Sequence, residues 1–477
     1  MIGKSLKIIQ EELEQGTITV ESMVNMYLDN IERTKDFNAY VEVFKEEALE
    51  GARQLDLKIK SSPDQLGELF GAVISIKDNI CYNGHIVTAG SKMLDDFEAP
   101  YSSTAVERMI QADAIIIGRT NCDEFSMGST SESSFYGPVK NAVDATCIAG
   151  GSSGGAAVSV KQNTCIAALG SDTGGSVRQP ASFNGVIGYK PTYGLVSRWG
   201  LIAYGSSFDV IGVLSNDIQT IAMITDVISG PDDYDSTAIQ DPSPRFTNEK
   251  INLKGKKVAY LNELLSHSKL NDSVKNAFFS FTEKLENNEV EVVGEAFEYS
   301  DYLVPAYYIL CAAEASSNLS RFDGVRYGHR ADGKFQDYRE MIKQSRTEGF
   351  GNEVKKRIIL GNYVLSEGHY DAYFTKAMKV RQIIKNAIED LFLKYDYIVL
   401  PTTTTQAWLI GDASVDPVEM YLSDMFTVLA NLSGIPAISI PLTNNIESLP
   451  LGIQVMAKSR DDTNLLEFVS AINEVIR

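Results

Sequence analysis

Two clusters of small residues, Gly150-Gly151-Ser152-Ser153-Gly154-Gly155 and Ser171-Asp172-Thr173-Gly174-Gly175-Ser176, set serines among glycines. A serine in such a setting can act as a nucleophile while nearby backbone N–H groups hold an oxyanion, the pairing that acyl transfer requires. Glycine allows the backbone to approach a ligand closely. The enrichment is local, since 15 of the 36 glycines fall between positions 128 and 212. A phosphate-cradling loop would carry the pattern G-x-x-x-x-G-K-[ST], which is absent. Flexible linkers would not alternate with apolar runs such as Cys165-Ile-Ala-Ala-Leu169. Acyl transfer is the chemistry these residue types favour.

A serine nucleophile needs a base, and histidine is the usual one. The chain has His85, His267, His329 and His369, none of them within the span that holds both clusters. Lys77 is the more informative residue, because it closes the apolar run Gly71-Ala-Val-Ile-Ser-Ile-Lys77 that leads to Asp78 and Asn79. Such a run predicts a buried strand with the lysine at its end. Burial disfavours the ammonium and lowers its pKa from ~10.4 toward the ~7–8 that suits a general base. Taken alone, the same lysine is better read as solvating a strand end.

In combination the three segments resemble the amidase signature family, whose catalytic unit is a Ser-cisSer-Lys triad. Ser152 follows Lys77 by 75 positions and Ser176 follows Ser152 by 24, at the family's spacing. The likeness extends through Thr88-Ala-Gly-Ser91, Gly118-Arg-Thr-Asn121, Glu124-Phe-Ser-Met-Gly128, Arg178-Gln-Pro-Ala181, Gly188-Tyr-Lys-Pro-Thr192 and Leu449-Pro-Leu-Gly-Ile-Gln454. The resemblance implies Ser176 as nucleophile, Ser152 as proton relay after a cis peptide, and Lys77 as base. It implies an oxyanion hole from the N–H groups of Thr173, Gly174, Gly175 and Ser176. Ser153 is expected to bond locally. The chain departs from the family pattern at Gly71-Ala-Val-Ile, where a proline is usual, and at Val455-Met-Ala-Lys458, where glycine is commoner.

Further segments resemble one branch of the family, the glutaminase subunits of three-subunit, tRNA-dependent amidotransferases. They are Glu314-Ala-Ser-Ser-Asn318-Leu-Ser-Arg321, Gly351-Asn-Glu-Val-Lys-Lys-Arg357 and Met420-Tyr-Leu-Ser-Asp424. Glutamine carries an α-carboxylate and an α-ammonium, so its site needs one charge of each sign. By this resemblance Arg357 and Asp424 supply them, Tyr308 lines the pocket, and Met127 and Ser129 lie near the substrate. The branch hydrolyses glutamine through an acyl-enzyme and passes ammonia to a B subunit. There ATP and Mg support conversion of Glu-tRNA(Gln) to Gln-tRNA(Gln), and a small C subunit completes the heterotrimer. The expected partners are therefore glutamine and the B and C subunits, with tRNA reached only through B. No cofactor or metal is expected in this chain. A stand-alone amidase acting on small carboxamides is the alternative. Service of an Asn-tRNA pathway stays open.

The elements that must position these residues are legible in outline. The chain of 477 residues is 44% hydrophobic and 22% charged, ordinary for a globular enzyme. Its net charge of −20 argues against direct nucleic-acid binding by this chain, which would need a basic face. Five scattered cysteines without C-x-x-C spacing read as reduced thiols, and no apolar run of membrane length or leader pattern is seen, so a cytoplasmic protein with no membrane contact is expected. Residues 1–65 read as helical, with Leu6, Ile8, Ile9 and Leu13 on one face and Thr19 capping a second helix. Strand-like and helical runs then alternate from Ala72 to Tyr189, a Pro- and Asp-rich stretch from Gly230 to Pro244 marks an internal boundary, and about 245–395 read as a mostly helical insertion. Strands return at 397–400, 437–440 and 451–456. The expected fold is α/β, an amidase signature domain over residues 1–477 with a mixed, largely parallel β-sheet covered by helices on both faces.

Overall fold

The computed structural model describes residues 4–241, 245–246, 251–412, 417–442 and 449–476. Helix α1 (Leu6–Glu14) buries Leu6, Ile9 and Leu13 at helical spacing, whereas Ile8, assigned to that face from sequence, is 44% exposed. Helix α2 (Val20–Arg33) starts at Thr19 through a reciprocal cap, in which Thr19 Oγ1 accepts the Ser22 N–H and Ser22 Oγ accepts the Thr19 N–H. Gly71 holds φ +81°, and a Cβ there would lie 2.6 Å from Leu13 Cδ1.

The strands are β1 (Tyr40–Val43), β2 (Val73–Lys77), β3 (Ile115–Thr120), β4 (Ala167–Asp172), β5 (Ile187–Lys190), β6 (Val210–Ser215), β7 (Lys257–Leu261), β8 (Glu291–Glu295), β9 (Tyr397–Pro401), β10 (Ala437–Leu442) and β11 (Leu451–Ala457). They form one sheet in the order β1-β3-β2-β4-β6-β5-β10-β11-β9-β7-β8. The late strands therefore enter the same sheet as the early ones. Four adjacent pairs are parallel, β3–β2, β2–β4, β9–β7 and β7–β8, and the other six are antiparallel. The sheet is mixed, with a smaller parallel share than the strand–helix alternation implied. The cause is the middle of the sheet, where β6 runs against both β4 and β5 and the β10–β11 hairpin runs against β5 and β9.

Three strands escape a reading of apolar runs. β1 lies inside the region read as wholly helical, β6 is interrupted by Gly212, and β8 falls within the stretch read as mostly helical and is at best half-buried. The helices that bear on the site are α3 (Gly154–Lys161), α4 (Arg178–Asn184), α5 (Leu303–Asn318), α6 (Asn352–Leu365) and α7 (Val428–Ser433). α4 and α7 are buried on every side, as helices enclosed within a large protein are. The boundary stretch from Gly230 is pinned by Asp235, whose carboxylate pairs with Arg198 at 2.9 Å, and it runs on to residues 242–244, which lie outside the described residues. Among the described residues no helix is long and apolar enough to cross a membrane.

Candidate active site

β2 and β4 are parallel neighbours with Ile76 opposite Leu169, so Lys77 and the residues after Leu169 leave the sheet together at its carboxyl edge. Open α/β sheets hold ligands at that edge. Lys77 is fully buried, with Nζ donating to Ser152 Oγ at 2.7 Å and to Ser171 Oγ at 2.9 Å. Burial pushes the Lys77 ammonium down to about 8. Asn79 Nδ2 donates to Ser171 Oγ and to Ser126 Oγ, both at 2.9 Å. The Gly151–Ser152 peptide is cis. Ser153 does not bond locally. Its Oγ donates to the Ser171 carbonyl at 3.2 Å and so ties the start of α3 to the end of β4.

Ser176 occupies the turn between β4 and α4 and is 9% exposed, whereas Lys77 and Ser152 have no exposure. Its carbonyl accepts the Ser153 N–H at 3.1 Å, which joins the two glycine clusters. The Asp172 carboxylate shapes this turn by accepting the Gly175 N–H at 2.9 Å, the Val177 N–H at 3.1 Å and both Nε and Nη2 of Arg178. Burial alone would raise the Asp172 pKa, but Arg178 beside it holds the carboxyl well below the usual range. The Gly175 N–H, one of the four expected to form the oxyanion hole, is thus engaged by Asp172. Among the described residues no acceptor lies on the N–H groups of Thr173, Gly174 and Ser176. Gly174 must lack a side chain, since a Cβ would lie 2.4 Å from the Tyr307 ring, and at Gly175 (φ +129°) one would lie 2.3 Å from Thr427 Oγ1.

A cavity of about 210 Å³ is lined by Met127, Ser129, Glu353, Arg357 and Tyr421, and its Ser129 bonds to the buried Asp424. Arg357 is buried on α6. Its Nε donates to Glu353 Oε1 at 2.9 Å and its Nη1 to the Tyr204 hydroxyl at 2.5 Å, which among the described residues leaves Nη2 for a ligand. Asp424 accepts from the Tyr308 hydroxyl at 2.7 Å and from Ser129 Oγ at 3.1 and 3.2 Å. These donors are neutral, and burial raises the Asp424 carboxyl to about 6. Such a group gains from an incoming cation. Met127 is fully buried in the same wall. Sequence reasoning missed Ser171, Asn79, Tyr204 and Glu353. Glu353 stands one helical turn before Arg357, a pairing the sequence does carry. Tyr204 comes from a distant loop and leaves no such trace.

Residues 22–466 match the protein family described as Amidase, and the chain belongs to that family. Among its relatives is the A subunit of the glutamyl-tRNA(Gln) amidotransferase of Prosthecochloris aestuarii, 44% identical over 470 residues and 98% of both chains. The protein of the same name from Lachnospira eligens is 44% identical over 95% of this chain and 94% of its own. Among solved structures, the corresponding glutamyl-tRNA(Gln) amidotransferase protein of Thermotoga maritima superposes with a TM-score of 0.79 at 35% identity, covering 95% of this chain and 91% of that one. A structure described as an amidase gives 0.84 at 26% identity, over 99% of this chain and all of the other.

Proposed function

We propose that this chain is the glutaminase subunit of a Glu-tRNA(Gln) amidotransferase. The observation that carries the reading is Arg357 on the wall of a cavity whose Ser129 bonds to the buried Asp424, with a buried lysine elsewhere in the site that reaches two serine hydroxyls. The names of the relatives support the same reading. Arg357 would take the α-carboxylate of glutamine and Asp424 its α-ammonium, which leaves the side-chain carboxamide to Ser176.

The Ser176 hydroxyl attacks the carboxamide carbon as its proton passes through Ser152 to neutral Lys77. The N–H groups of Thr173, Gly174 and Ser176 then hold the oxyanion. Collapse returns the proton along the same path to nitrogen, releases ammonia and leaves a γ-glutamyl ester on Ser176. Water, deprotonated by the same relay, cleaves that ester to glutamate and restores the serine. The net reaction is glutamine plus water to glutamate plus ammonia.

Ammonia would be used on a B subunit that holds ATP, Mg and the misacylated tRNA, with a small C subunit completing a cytoplasmic heterotrimer. The net charge of −20 supports this division, since the chain itself offers phosphates little attraction. The test has two arms. With glutamine as donor, the complex carrying Ser176→Ala should make no Gln-tRNA(Gln); with ammonium chloride it should make it at the wild-type rate. Conversion by this chain alone, or failure of the variant complex with ammonium chloride, overturns the proposal.

One observation favours the stand-alone amidase. A second cavity, of about 430 Å³, meets the first at Arg357 and Tyr421 and is lined by apolar Val304, Pro305, Leu360, Leu422 and Met425. Faster turnover of apolar carboxamides than of glutamine by the chain alone would decide for it.

A further inference from the structure

Residues 123–127 bond in three directions from one short segment. Ser126 Oγ accepts from Asn79, the partner of Ser171 beside Lys77. Asp123 accepts the N–H groups of Ser131 at 2.9 Å and Ser133 at 3.3 Å, which shapes the loop carrying Ser129 to Asp424. Glu124 turns the third way, toward α6. The segment itself is tightly wound, with Phe125 at φ 49° and Ser126 at φ 61°.

Glu124 is 3% exposed, and its carboxylate accepts the Gly351 N–H at 2.8 and 3.0 Å and the Ser91 hydroxyl at 2.5 Å. Gly351 is the N-cap of α6 and has no side chain to cap the helix, so Glu124 supplies the cap from another part of the chain. A carboxylate there also meets the positive end of the helix dipole. Contact is close enough that a Cβ on Gly351 would lie 2.3 Å from Glu124 Oε2. The Phe125 ring packs against Phe350 with centroids 5.6 Å apart, a second tie between the same two segments. Arg357 lies six residues into this helix, about 9 Å along its axis.

We infer that Glu124 is a positioning residue: by capping α6 from the segment that borders the serine–lysine cluster, it sets where Arg357 stands relative to Ser176. The inference rests on the glutamine reading above. Loss of the carboxylate lets the start of α6 shift, so the α-carboxylate is held poorly while the hydroxyl relay stays intact.

The experiment compares ammonia release from glutamine and from 4-aminobutanamide, which is glutamine without its α-carboxylate, by the chain assembled with its B and C subunits. Glu124→Gln should lower kcat/KM for glutamine about tenfold through KM, with kcat within twofold, and leave 4-aminobutanamide unchanged. In an Arg357→Ala background Glu124→Gln should add no further loss. Ser91→Ala, which frees one oxygen of the carboxylate and leaves the helix untouched, should give a smaller loss of the same selectivity. Equal losses on both substrates, or losses that add to those of Arg357→Ala, overturn the role given to Glu124. If the wild-type complex releases no ammonia from glutamine, the glutamine reading falls and this inference with it.

Discussion

In the proposed mechanism Lys77 accepts a proton, and its burial, which lowers the ammonium to about 8, favours the neutral form at the expense of stability. A lysine whose folded pKa is lowered binds fewer protons folded than unfolded, so stability rises with pH between about 8 and the usual lysine value. The full contribution is present above the unfolded pKa and is lost as pH falls through about 8. Lys77→Met should therefore raise the melting temperature at pH 7 while abolishing ammonia release, measured by calorimetry and a coupled assay. Lys77→Arg should be as inactive as Lys77→Ala, because arginine keeps its proton. Substantial activity in the arginine variant would make Lys77 an electrostatic residue only. Turnover should climb with pH toward about 8 as Lys77 deprotonates, and glutamine KM should rise below about 6 as Asp424 takes up a proton. A pH-independent KM between 5 and 8 would remove Asp424 from the amine pole. At this scale the sequence was most legible in Lys77 and Ser152, 75 positions apart, which the structure brings within hydrogen-bond distance. It was least legible where a donor is consumed by a neighbour: nothing in Asp172-Thr-Gly-Gly-Ser176 announces that the Gly175 N–H turns back to Asp172.

Elements meet the site through α4, whose first residue, Arg178, is fully buried and joins four of them. Its guanidinium pairs with Asp172 and donates to the Thr427 carbonyl at 2.9 Å, to Asn431 Oδ1 at 2.7 Å and to Gln454 Oε1 at 2.9 Å. Removing one partner of a buried pair leaves the other charge uncompensated, at a cost of about 3–5 kcal/mol. Arg178→Met should lower unfolding free energy by that amount in urea melts; a change below about 1 kcal/mol would refute the pairing as a support of the fold. Because the Asp172 pKa is depressed, the pair's contribution is present above the ordinary carboxylate pKa and fades as pH falls below it. Strand β2 was legible because it is apolar and buried along its length. β8 was not, since its Glu291-Val-Val-Gly-Glu295 has charged ends and a half-buried face. Its place at the sheet edge, beside β7, is a tertiary fact.

At the scale of the whole molecule, the sheet is assembled out of chain order. β10 and β11 stand between β5 and β9, so the last strands join two halves that are otherwise separate in the sheet. A chain stopped after Gly434 should fail to fold cooperatively, seen as loss of a sharp thermal transition and rapid digestion by protease. Retention of a wild-type transition would mean that residues 4–434 hold together without the hairpin. The alternation of strands and helices foretold an α/β architecture, but which strands become neighbours depended on pairings far apart in the chain, such as β5 with β10, which local pattern does not encode.

The contacts of Arg178 also set a clock. Arg178 and Gln454 are 276 residues apart, so during synthesis at about 5–20 residues per second the arginine waits about 15–55 s for its last partner. Through that interval Arg178, which pairs with Asp172 in the turn bearing Ser176, lacks its bond to Gln454. On the proposed mechanism, a ribosome-bound chain should therefore carry every residue of the serine–lysine relay without releasing ammonia until the hairpin closes the sheet.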